Sequence, residues 1–301
     1  MTRLPPPAPR ARRAAVRTLA ALTAVLTLGG ALAGCDTAID TPDSLRGSYT
    51  LWGALDPTAG VQAVRVVPVT DSIGLGSAAP LPVAVVSVDL ATAAETPWRD
   101  SVVTFRDGSV GHVFTARLRP AYGSRHRVVV RRDGGGEVSA LVAVPPFVAP
   151  VVQRVQRLGG GVVLFPVLWP GAPQLNRVRV TYTLVRATGE VTDVTRVLVG
   201  TSGPVEFGWQ TVVDVGVEDD RVQREAGGEP GDFALRNLRV TAEVASEDWR
   251  PPGGVFDPEV LAEPGSLGNV EGGFGFVGAA YDVAVDVRPL ASDLAATSFA
   301  R

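Results

Sequence analysis

Arg125-His126-Arg127-Val128-Val129-Val130-Arg131-Arg132, then Asp133-Gly134-Gly135-Gly136, then Glu137-Val138-Ser139-Ala140-Leu141-Val142-Ala143-Val144 decides the fold of this 301-residue chain. Two valine-rich arms flank three consecutive glycines. Glycine reaches the positive φ angles of a tight reversal without steric cost, so the stretch reads as a β-hairpin. The same texture extends in both directions. Val61–Val69, Val83–Leu90, Ser101–Phe105 and His112–Leu118 are short, valine-rich and bounded by turn clusters such as Asp107-Gly108-Ser109.

Val144-Pro145-Pro146-Phe147-Val148-Ala149-Pro150 interrupts the pattern, because three prolines so close together cannot sit in a central strand. A second β set follows, with Val151–Arg157, Gly161–Trp169, Asn176–Arg186, Val191–Val199, Val205–Val215, Leu235–Ser246 and Ala280–Val287. Between them, residues 216–232 read as one acidic, glycine-rich loop. Beyond the N-terminal stretch no long window carries a helical stripe. Short strands at a spacing of roughly ten residues predict sandwiches and not a parallel sheet. The expectation is an all-β chain of two Ig-like β-sandwich domains, 48–147 and 148–290, with a tail at 291–301. The halves share no repeat period.

The N-terminus carries a different message. Arg3, Arg10, Arg12, Arg13 and Arg17 precede an uncharged stretch from Thr18 to Gly34, which ends in Leu32-Ala33-Gly34-Cys35. A basic region, a short apolar region and small residues at the cut describe a secretory signal peptide over 1–34. The uncharged run is shorter than the roughly 20 residues a spanning helix needs. Cys35 is the only cysteine, and Leu-Ala-Gly-Cys has the form of a bacterial lipobox, cut between Gly34 and Cys35. The thiol would take a diacylglycerol and tie the chain to a lipid bilayer, with 35–47 as a polar tether. Asp36, Asp40 and Asp43 behind it resemble surface-export signals of Bacteroidota lipoproteins. In enteric bacteria an Asp directly after the cysteine goes with inner-membrane retention, and the sequence does not choose.

Cleavage would remove five arginines and no acidic residue, making the net charge of −3 more negative. An acidic surface argues against nucleic acid, whose phosphates need clustered cations. With its one cysteine acylated the chain has no disulfide within it, so stability rests on a core that 46% hydrophobic residues can supply. All 28 basic residues are arginine, a bias that a GC-rich genome explains without reference to function.

Candidate chemistry is thin. Gly273-Phe274-Gly275-Phe276-Val277-Gly278 matches G-x-G-x-x-G, but no helix pattern opens on it, so it reads as a glycine-rich lead-in to the last strand with Phe274 and Phe276 in the core. His112 and His126, the only histidines, could face each other on adjacent strands, yet two imidazoles make no zinc site alone. Glu218, Asp219, Asp220, Glu225, Glu229 and Asp232 read as a solvated acidic loop and not an EF-hand. Of five tryptophans, Trp98 and Trp249 stand among Pro, Arg and Asp and are the expected exposed pair. No cofactor, metal or complete catalytic constellation is expected. The competing reading is a secreted or surface carbohydrate-binding module or glycan hydrolase, with Trp98 and Trp249 as platforms.

Three segments together resemble an uncharacterised family of Bacteroidota lipoproteins. They are Arg127 through Val138-Ser139-Ala140 to Val144-Pro145, then Leu238–Val244 with Ser246-Glu247-Asp248-Trp249, then Gly268-Asn269-Val270-Glu271-Gly272-Gly273-Phe274-Gly275. The last is similar to the family's closing motif, an asparagine, an acidic-Gly-Gly and a Phe-Gly. The match spans about Arg46 to Pro289 and departs in lacking lysine. The family is often encoded near TonB-dependent outer-membrane receptors, so the resemblance implies Ig-like sandwiches and a role beside outer-membrane transport, with such a receptor as the partner and no catalytic residues to carry over. The lipobox and the lack of a complete catalytic constellation set the expectation that the chain is not an enzyme. Glu218, Asp219, Asp220 and Asp232 are the first candidates for partner contact, then Trp249.

Overall fold

A computed structural model describes residues 48–69, 77–106, 108–249 and 268–299. Cys35, Gly34 and the rest of residues 1–47 lie outside them, as does most of the segment after Trp249. The hairpin that opened the sequence forms as β7 (Arg125–Arg132) and β8 (Glu137–Ala143), paired from Arg125 opposite Ala143 to Arg131 opposite Glu137. Gly135 and Gly136 make the reversal at φ 88° and 85°. Val128, Val130, Val138, Ala140 and Val142 are fully buried, whereas Arg125, Arg127 and Arg131 point out. Burying one such valine stabilises by about 1.5–3 kcal/mol, so this alternation sets the register.

Among the described residues the fold is an all-β sandwich with one α-helix. The first sandwich sets β1 (Tyr49–Leu55), β2 (Gln62–Pro68), β5 (Arg99–Thr104) and β6 (Val110–Ala116) against β7, β8, β3 (Val83–Asp89), β4 (Glu95–Pro97) and the two-residue β17 (Val270–Glu271). Leu51, Val64, Val66, Phe114, Val128, Val130 and Val138 fill it. The second sandwich sets β12 (Gln174–Arg186), β13 (Val191–Val197) and β16 (Phe233–Ala245) against β9 (Val151–Val152), β10 (Gln156–Arg157), β11 (Val163–Pro170), β14 (Ser202–Val205) and β15 (Gly208–Asp214). Phe165, Trp169, Tyr182, Leu184, Phe233 and Leu238 fill this core. Val151–Arg157 is two short pairings and not one strand. Pro166 offers no N–H on the β11 edge where its carbonyl accepts from Gln153 N, and the partner breaks there.

One strand serves both sandwiches. β18 (Phe274–Val287) pairs in parallel with β1 through Ala279, from Thr50 opposite Phe274 to Leu55 opposite Ala279. From Ala280 onward it pairs antiparallel with β16, ending with Val287 opposite Leu238. The two half-sheets thereby become one of eight strands, ordered β13-β12-β16-β18-β1-β2-β6-β5. Six consecutive residues, Phe276 to Tyr281, are buried, because this stretch is covered on both faces. Val270, Val277 and Ala279 belong to the first core although they lie far into the second half of the sequence. Residues 291–299 are held too, with Leu294 and Phe299 buried in the second core and Asp293 paired to Arg157 at 2.5 Å.

Residues 216–232 are not one loop. Helix α1 (Val215–Glu225) follows β15 directly, and Asp214 caps it by accepting from Gly216 N at 3.0 Å and Val217 N at 3.2 Å. Its buried stripe is Val215, Asp219, Val222 and Gln223. Two of these four are polar, which hid the helical period from a hydrophobicity reading.

Candidate functional site

The closing segment from Gly268 to Gly278 is a clasp across the first sandwich. β17 adds to β8 in one sheet, with Val270 opposite Ala140, while β18 adds to β1 in the other. Backbones crowd there, and the glycines follow from that. A Cβ on Gly273 would lie 2.3 Å from the Tyr49 carbonyl, and one on Gly275 2.1 Å from that of Leu51. Gly272 and Gly275 also have φ of 71° and 102°. Asn269 locks the clasp, donating from Nδ2 to the carbonyls of Val277 at 2.7 Å and Leu141 at 2.9 Å and accepting from Val277 N at 3.0 Å. The glycine-rich match is therefore a packing device. Phe276 is buried as expected, and Phe274 is half-buried.

Beside the clasp lies a cleft of about 510 Å³ lined by Leu141, Asp248, Asn269, Glu271 and Gly272. Trp249 stands at its side, half-buried, edge-on to Phe276 with ring centroids 5.5 Å apart and against Gly278. With the Asn176 amide turned so that its oxygen faces the indole, Trp249 Nε1 donates to it at 2.8 Å. Trp249 thus wedges between β18 and the start of β12, near the crossing from one sandwich to the other. The same crossing carries Tyr281, whose hydroxyl accepts from Val148 N at 2.8 Å and donates to Pro146 O at 2.9 Å. Tyr122 packs edge-on to both Tyr281 and Phe147, at 5.1 and 5.4 Å. Burial pushes the Tyr281 phenol up from its ordinary value, against the effect of the Val148 amide. Tyr281 had no sequence signal beyond its place in an alternating strand.

The acidic residues 218–232 have separate tasks. Glu218 and Glu225 flank Arg196 of β13, at 3.6 and 2.5 Å. Asp219 is buried and accepts from Ser298 N at 2.7 Å. Asp232 accepts from Glu229 N at 2.8 Å and closes a turn. Asp220 is exposed on α1. The helix gathers Glu218, Asp219 and Asp220 on one short element, while Asp232 stands on the turn before β16. Gln223, fully buried, ties the region together by donating to Ser298 Oγ and accepting from Gly231 N and Phe233 N. A buried glutamine inside an acidic stretch was not a visible signal.

The histidines do not meet. His112 sits on β6 and His126 on β7, in opposite sheets. His112 lies with Nδ1 2.8 Å from Asp100 Oδ2 and Nε2 3.0 Å from the Ser77 carbonyl, and the pair ties β6 to the exposed edge strand β5. His126 Nε2 is 2.9 Å from Ser124 Oγ, whose one proton goes to Ala121 O at 2.6 Å, so the imidazole is the donor. That direction is opposite to what activates a serine nucleophile. Asp89, the neighbouring carboxylate, accepts from Ala91 N and Thr92 N instead. Burial lowers the affinity of His126 for its proton, opposed by Asp89. Among the described residues no three His, Cys, Asp or Glu side chains gather as metal ligands.

Trp98 corrects the sequence reading. It is 6% exposed, between β4 and β5, with Nε1 3.1 Å from Ser87 Oγ. The chain changes sheets there, and the indole fills the corner. The most exposed tryptophan is Trp52 of β1 at 39%.

No family model matches this chain, and no curated protein matches it. Among solved structures it is similar to a pullulanase from Anoxybacillus sp. LM18-11, at 11% identity and TM-score 0.22, over 72% of this chain and 29% of that one. Bovine butyrophilin matches at 11% identity and TM-score 0.21, over 80% of this chain and 99% of that one. The chain thus spans under a third of the pullulanase.

Proposed function

We propose that the chain is a lipid-anchored, non-catalytic cell-envelope lipoprotein that serves outer-membrane transport or surface binding. The observation that carries this reading is Leu32-Ala33-Gly34-Cys35 behind five arginines and an uncharged stretch. Acylation at Cys35 would hold the β-sandwiches at a bilayer, and the outer membrane is the proposed location. Among the described residues no helix is long and apolar enough to cross a membrane. The closing motif at Asn269–Gly275, similar to that of Bacteroidota lipoproteins, supports a TonB-dependent receptor as the partner. Its candidate contacts are the exposed Asp220 and Asp232 and the half-buried Glu218 and Trp249. Asp219, expected among them, is buried against Ser298 N and is not one.

Radiolabelled palmitate entering the wild type and absent from Cys35→Ser is the expected result. Equal labelling of both would overturn the anchor. Affinity purification from solubilised outer membranes should recover the receptor with the wild type; recovery of the protein alone would remove the partner reading.

A further inference from the structure

Strand polarity gives the anchored protein two unlike ends. The chain enters the described fold at Ser48, directly before Tyr49, the first residue of β1. Tyr49 is close to the β7–β8 hairpin, since a Cβ on Gly273 would meet both the Tyr49 carbonyl and the Val138 side chain. Arg132 and Asp133 also bear electrostatically on Tyr49. The end of the molecule where the chain enters thus carries the turn 133–136. β18 begins at this end, opposite Thr50, and runs parallel to β1, away from it. It does not turn back but passes Ala279 into the second sandwich and ends opposite Leu238. β16 and β12 extend further, to Arg186 opposite Phe233. At about 3.3 Å per residue this path is on the order of 60 Å of strand.

The opposite end is built as a unit. Arg186 lies with its guanidinium 4.6 Å over the Phe233 ring, donates to Gly227 O at 2.8 Å and pairs with Glu190 at 3.3 Å. It joins the β12–β13 turn, 187–190, to the turn that holds Asp232.

We infer that the anchored chain is polarised, with the 133–136 hairpin on the membrane side and the Arg186-linked turns at the end farthest from the bilayer. This rests on the proposed acylation of Cys35.

The full lipidated chain suits a direct test, because Cys35 is the only cysteine and acylation removes its thiol. Gly134→Cys, where a Cβ meets nothing within 4 Å, and the exposed Thr188→Cys and Pro230→Cys each introduce one labelling site. Each labelled chain is bound to phosphatidylcholine vesicles carrying a headgroup acceptor dye. Energy transfer from position 134 should exceed that from 188 and 230 by roughly twofold or more, given the strand path between them. Equal or reversed transfer in chains that float with the vesicles would overturn the polarity alone. Failure of the wild type to float would overturn the anchor, and the polarity with it.

Discussion

The Tyr281 hydroxyl lies 2.8 Å from Val148 N and 2.9 Å from Pro146 O, so a strand residue of β18 holds both sides of the proline-rich crossing. Val148 has no access to water, and its amide depends on that phenol. Tyr281→Phe keeps the ring against Tyr122 and removes both bonds. The expected cost is about 1–3 kcal/mol, the penalty of a buried donor left without a partner. Urea unfolding should show the midpoint move down, and an unchanged midpoint would contradict the clamp.

Gly275 tests the parallel seam. It combines φ 102° with a Cβ position 2.1 Å from the Leu51 carbonyl, so any side chain must part β1 from β18. Gly275→Ala should destabilise on the order of 3–5 kcal/mol by strain and lost pairing. Gly60→Ala, where a Cβ meets open space, is the matched control and should unfold close to the wild type. Similar losses in both variants would argue against the seam.

Why some of this was legible and some not is a matter of range. The β7–β8 hairpin could be read because its register is set by residues within a few positions of each other and by glycines at the turn. β12 and β16 could be read because one buried face alternates along them. The crossing of β18 could not, because period-two alternation fails where a strand is covered on both faces, and its partners Thr50 and Leu238 are far away in sequence. Trp98 misled by its neighbours. Pro97 and Arg99 mark the corner where the chain leaves one sheet for the other, and the indole between them points in. Asn269 belonged to a motif that was visible as letters, while its three backbone bonds needed coordinates.

The cap of α1 offers a smaller effect with a local readout. Asp214→Ala should cost about 1 kcal/mol by freeing the amides of Gly216 and Val217, and Asp214→Asn should retain most of it. Hydrogen exchange at those two amides should accelerate in the alanine variant. Unchanged protection would mean that the helix is held by its buried stripe and the Gln223 bonds alone.

His126 predicts the acid limb of stability. Burial holds its folded pKa below the ordinary value, so the unfolded chain takes up the proton first as acid is added. Its contribution is complete above about pH 6.5, the unfolded value, and is lost as pH falls from there through the folded pKa. The wild-type Tm should decline between about pH 7 and pH 5, and His126→Gln should flatten that decline. An identical slope in both proteins would assign it to other groups.

The strand that serves both sandwiches also orders events in time. β1 is made among the first residues of the fold, yet its parallel partner begins only at Phe274. Until then the Leu51 edge is unpaired, and Val270, Val277 and Ala279 are missing from the first core. Contacts of such long sequence separation form slowly, and an open strand edge invites pairing with other chains. A chain emerging N-terminus first therefore cannot finish its first sandwich before most of its second has been delivered, and a nascent chain stopped near residue 150 has β1 with one edge still open.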